Sequence, residues 1–117
     1  MRKNLEQIAK DNGRYGFSAI KFVNDGLGFT AKKIATEPKH VSGQTLCEGL
    51  RKFASKKWGR LAKLVLNDMG IENTRDFGEI VFLMVEHEWI SAQPTDSLED
   101  FNNVYDFQTV FKDRFEF

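Results

Sequence analysis

Residues 71–90 read IENTRDFGEIVFLMVEHEWI, and the reading of this stretch decides the fold class. Its middle, residues 80–85, is the longest apolar run in the chain. Six consecutive apolar residues wound into a helix leave no polar face, so the run predicts a central, buried helix. Asn73 or Thr74 is the predicted N-cap, and the helix is predicted over 75–88. Just upstream, Gly70 suits a left-handed C-cap with Ile71 folding back on the last turn, the Schellman ending of a preceding helix over 60–69. That preceding helix is predicted to turn Leu61, Leu64, Val65 and Leu66 inward. Downstream, 89–93 reads as a short strand and 94–96 as its turn.

Working outward, Asn12-Gly13 stops a short helix over 2–11. Residues 17–34 place Phe17, Ile20, Val23, Leu27, Ala31 and Ile34 at helical spacing, with Gly26 and Gly28 marking a kink or break. Ser42 is a good N-cap for a third helix ending near Trp58-Gly59, with Leu46, Leu50, Phe53 and Ala54 as its inner stripe. Asp106 caps a last helix over 107–115, because Phe107, Val110, Phe111 and Phe115 fall on one face. The expectation is a mainly α, compact helical domain covering 1–117 as a single domain. Its C-terminal half has the helix, tight turn, helix, strand order of a helix-turn-helix with a wing, that is, a winged-helix-like half with a short β element.

Composition agrees with an ordinary globular chain: 117 residues, 41% hydrophobic and 29% charged, with eleven Phe that make the core aromatic. The one cysteine, Cys47, forms no intramolecular disulfide, and the charged, amphipathic start is unlike a signal peptide. No apolar run approaches the roughly 20 residues of a membrane span, so a cytoplasmic protein without membrane contact is expected.

No zinc-type cysteine and histidine spacing, nucleotide-binding glycine loop or nucleophile turn occurs, so the sequence nominates no cofactor and no metal. Cys47 reads as a small hydrophobe beside Leu46 and Leu50 rather than as a nucleophile. The net charge is zero but unevenly spread. Residues 1–65 hold 14 Lys and Arg against 5 Asp and Glu, and residues 66–117 hold 3 against 12. Either the halves pack together and cancel, or they form faces for a protein partner, a second copy or a polyanion. A winged helix would read DNA with the 75–88 helix, but Asp76, Glu79, Glu86 and Glu88 repel phosphates there. The better nucleic-acid candidate is the basic stripe Arg51, Lys52, Lys56, Lys57, Arg60 and Lys63, with Trp58 available to stack a base; the alternative reading is an ordinary solvated helix face.

The strings His40-Val41-Ser42-Gly43-Gln44 and Glu48-Gly49-Leu50-Arg51 resemble the opening signature of a small uncharacterised bacterial family. The resemblance continues through Gly59, Ala62, Val65-Leu66, Gly70-Ile71, Thr74, the string DFGEIVF at 76–82, Asp100-Phe101 and Val104-Tyr105-Asp106-Phe107. It covers nearly all of 13–111. The family has no assigned activity and usually carries leucine at the position of Cys47, which implies a packing role for the thiol. It usually lacks a glycine pair like Gly26 and Gly28. It nominates His40, Ser42, Gln44, Glu48, Arg51, Asp76, Glu79, Tyr105 and Asp106 as a shared polar site, or as caps and ion pairs such as Glu48 with Arg51. An enzyme would have to draw on His40, Glu48, Glu79 and Tyr105 as its acid and base groups. The sequence favours a non-enzymatic interaction module that docks a protein partner through charge-asymmetric faces, with nucleic-acid binding through the 51–63 stripe as the alternative.

Overall fold

The computed structural model describes residues 4–33, 41–90 and 97–112. Five α-helices carry the fold: α1 (Leu5–Asn12), α2 (Phe17–Lys33), α3 (Gly43–Trp58), α4 (Ala62–Asp68) and α5 (Thr74–Glu86). A 3-10 turn at Gly59–Leu61 leads into α4, another follows at Leu98–Phe101, and a π-helical turn spans Gln108–Lys112. The chain is mainly helical, with no strand among the described residues.

Local chemistry sets most helix ends. Asn4 and Gln7 form a reciprocal capping box at α1. Gly13, at φ 73°, ends the helix, and the Asn12 side chain staples the turn by donating to the carbonyls of Ile8, Ala9 and Tyr15. Ser42 caps α3 by accepting from the Thr45 amide at 3.1 Å. The end of α4 is a complete Schellman motif: the Ile71 amide donates to Leu66, the Gly70 amide to Asn67, and Ile71 is fully buried.

α2 and α3 share the most extensive contact of any two described elements, and two glycines let their backbones approach. A Cβ on Gly49 would sit 1.8 Å from Thr30 Oγ1, and one on Gly26 would sit 2.2 Å from a Leu50 methyl carbon. α2 runs unbroken through Gly26 and Gly28, so the break expected as one alternative there does not occur. Close packing at Gly26 offsets its poor helix propensity. A Cβ on Gly28 would meet no described atom within 4 Å.

α5 is packed as its sequence requires. Phe77, Ile80 and Met84 are fully buried, and its neighbours are α1, α2, α3 and the Leu98–Phe101 turn. Gly78 lets the Phe101 ring lie against the helix backbone, and the buried Thr74 hydroxyl donates to the Phe101 carbonyl at 2.6 Å. One hydrophobic cluster draws on all five helices and on Phe101, Phe107 and Phe111.

Several expectations fail or fall outside the described residues. Leu61 and Leu64 point to solvent, 53% and 67% exposed, while Ala62 and Leu66 form the buried stripe. The reason is the 3-10 turn, which advances the chain faster than an α-helix and turns the inward face by about one residue. α5 ends at Glu86 rather than Glu88. Trp89 and Ile90 lie in a bend rather than a strand, and 91–96 lie outside the described residues. The expected last helix is a π-helical turn over its described part, and 113–115 lie outside.

Candidate binding face

The polar residues nominated from the sequence fall into two sets with separate partners. Asp76 and Glu79 belong to the start of α5. Asp76 closes the N-terminal box with Asn73, accepts from the Glu72 amide at 2.8 Å and accepts from the Tyr15 hydroxyl at 2.6 Å. Glu79 is paired with Arg14 and Arg75 and accepts from Tyr15 at 3.1 Å. Buried carboxylates persist only with such partners. Burial first, and then the hydrogen bond to Asp76 and the two carboxylate charges, raise the Tyr15 phenol well above its ordinary pKa. Arg14 and Tyr15 were absent from the sequence-based candidates, since contacts spanning more than 60 residues leave no local trace; Arg75, four residues before Glu79 on the same helix, was within local reach and was not nominated.

The second set surrounds α3. Glu48 pairs with Arg51 at 2.8 Å, and the Tyr105 hydroxyl donates to the Cys47 carbonyl at 2.5 Å. Burial pushes the Tyr105 phenol upward and the Cys47 thiol to about 12, so the thiol is protonated and unreactive at neutral pH. Ser42 and Asp106 act as caps, the latter accepting from the Gln108 amide at 3.0 Å, and Gln44 is exposed. His40 lies outside the described residues. Among the described residues Glu79 thus shares no partner with Glu48 or Tyr105, whereas Glu48 lies near enough to Tyr105 for its charge to push the phenol further upward.

The basic stripe divides. Arg51 turns to Glu48, whereas Lys52, Lys56, Lys57 and Arg60 are exposed. Lys63 is half-buried. Among the described residues no ion pair joins Lys52, Lys56, Lys57 or Lys63 to a carboxylate. Along the α2–α3 seam runs a row of rings, Phe29 to Phe53 to Phe22 to Trp58, at centroid separations of 5.2, 5.5 and 5.0 Å. Lys56 lies 5.8 Å from the Phe29 centroid, and Lys57 lies 5.5 Å from Phe53 and 5.7 Å from Trp58. Phe29 was not foreseen as part of this face, because only the packing of α2 on α3 brings it beside Lys56; Phe53, one turn before Lys57 on α3, was assigned to the inner stripe instead. Comparisons with family models, curated proteins and solved structures gave no match. The arrangement presents exposed positive charge beside partly exposed aromatic rings. Among the described residues no set of three or more metal-ligating side chains converges.

Proposed function

We propose that this chain is a non-enzymatic binding module that docks an acidic protein partner through the basic face of α3 and the turn that follows it. The observation that carries this reading is the set of exposed lysines at 52, 56 and 57, which pair with no carboxylate among the described residues. No described carboxylate of the acidic second half pairs with them. The ion pairs that join the halves among the described residues use Arg14 with Asp76 and Glu79 instead. Clustered charge of one sign that folding leaves uncompensated favours encounter with the opposite charge. The test is a fluorescence-anisotropy titration with labelled polyglutamate. Binding by the natural chain should be lost in a Lys52→Glu, Lys56→Glu, Lys57→Glu variant that melts at the same temperature; equal binding by both would contradict the reading.

A second reading rests on the ring row. Lysines beside half-exposed aromatic rings also suit a single-stranded nucleic acid, whose bases stack while its phosphates pair. That reading expects an oligonucleotide to quench tryptophan fluorescence, and the quenching to fall in Trp58→Leu. The winged-helix reading has less support: the wing's place at 91–93 lies outside the described residues, and Asp76 and Glu79 of α5 are held by Tyr15, Arg14 and Arg75. The family resemblance assigns no reaction and adds none here.

A further inference from the structure

We infer that Leu61 and Leu64, with the shallow groove beside α4, seat an acidic amphipathic segment of the partner protein. The proposal rests on the docking reading above and names its site and ligand chemistry. The two leucines are the most exposed large aliphatic side chains among the described residues. They stand three residues apart on the side of the turn and helix opposite Ala62 and Leu66, so the core makes no use of them. Beside them, Arg60, Lys63, Leu64, Asn67, Gln108 and Phe111 line a groove between α4 and the Gln108–Lys112 turn. The buried Phe111 ring forms its floor.

Charge selects the occupant. The charged side chains lining the groove are basic, and Lys56 and Lys57 lie just before Arg60 in the chain. Asp68, one helical turn beyond Leu64, bounds the basic stretch and places the segment's carboxylates toward Lys63, Lys57 and Lys56. Exposed leucines offer no face for stacking bases, so a nucleic acid gains little from them. A helix or extended peptide with apolar anchors three or four residues apart matches both the leucine spacing and the cationic rim. Leucine burial supplies affinity, and the lysines supply encounter rate and orientation.

A phage-displayed random peptide library panned on the intact chain tests this. The expected selection is enriched in Asp and Glu with Leu, Ile or Phe at three- or four-residue spacing. A synthetic peptide of that selection should lose about tenfold or more in affinity on Leu61→Ser or Leu64→Ser, the scale of an apolar hot spot. Lys63→Glu should also weaken it, and circular dichroism should show each variant as folded as the natural chain. Acidic peptides that bind the leucine variants unchanged but fail on Lys52→Glu with Lys56→Glu would overturn the groove and leave the docking reading standing. Failure to select any acidic peptide would overturn both. A chain that self-associates, and is made monomeric by Leu64→Ser, would replace the acidic segment with a second copy and overturn the proposal.

Discussion

Gly49 and Glu88 show how differently single residues carry this fold. Gly49 faces Thr30 at a separation no side chain can share, so Gly49→Ala must push α2 and α3 apart or rotate Thr30 away from its bond to the Gly26 carbonyl. The expected cost is about 1–3 kcal/mol by urea denaturation, and Thr30→Ala in the same chain should recover part of it. Additive losses would show that the two do not meet. Glu88 has the opposite problem. The Trp89 amide donates to Met84 and the Glu88 amide to Val85, which is a Schellman ending with Glu88 at φ 62° where glycine is preferred. Glu88→Gly should therefore stabilise by up to about 1 kcal/mol, read as a higher urea midpoint. A glutamate in that position hides the helix end from a sequence reader, who extends α5 to 88. Gly70 advertises the same motif openly. Gly26 was legible as an anomaly but not as a contact, because the reason for it sits on another helix.

Elements were legible wherever their signal was local. The Asn73 cap, the Ser42 cap and the apolar middle of α5 all lie within one helical turn of what they determine. α4 was placed correctly but turned wrongly, since the 3-10 turn before it shifts the phase of its stripe. The structure therefore expects Leu61→Ser and Leu64→Ser to change the thermal midpoint by little, within the roughly 0.5 kcal/mol of ordinary surface substitutions. Ala62→Ser or Leu66→Ala should cost far more, about 2–5 kcal/mol for the fully buried leucine. A Leu64→Ser chain as unstable as the Leu66→Ala chain would mean that α4 presents its other face to the core. The candidate site was half legible: the α3 lysines could be counted along the chain, but their separation into Arg51, held by Glu48, and the exposed remainder required the packed helix pair.

At the scale of the whole molecule, three acidic protons held by burial couple stability to alkaline pH. Tyr15, Tyr105 and Cys47 all ionise less readily when folded, with burial the leading cause. Unfolding lets each lose its proton at its ordinary value, 10.0 for tyrosine and 9.0 for cysteine. Stability from these groups is thus intact below about pH 9 and lost as pH rises beyond it, by about 1.4 kcal/mol per pH unit for each group titrating only in the unfolded chain. Chemical denaturation between about pH 8 and 11 should show a steepening fall, shallower in Tyr105→Phe. A flat profile would contradict the burial of these groups. The charge of the whole molecule bears on function more directly. Its net charge is zero, yet its basic half keeps Lys52, Lys56 and Lys57 exposed, so binding of an anion depends on arrangement rather than on total charge. The deciding measurement is a titration of the chain with polyglutamate and with a single-stranded oligonucleotide of matched charge, at about 50 and about 200 mM salt. Binding of polyglutamate that weakens with salt, with the oligonucleotide no tighter, is the expected result. An oligonucleotide bound far more tightly, or polyglutamate left unbound at low salt, would contradict docking of an acidic protein.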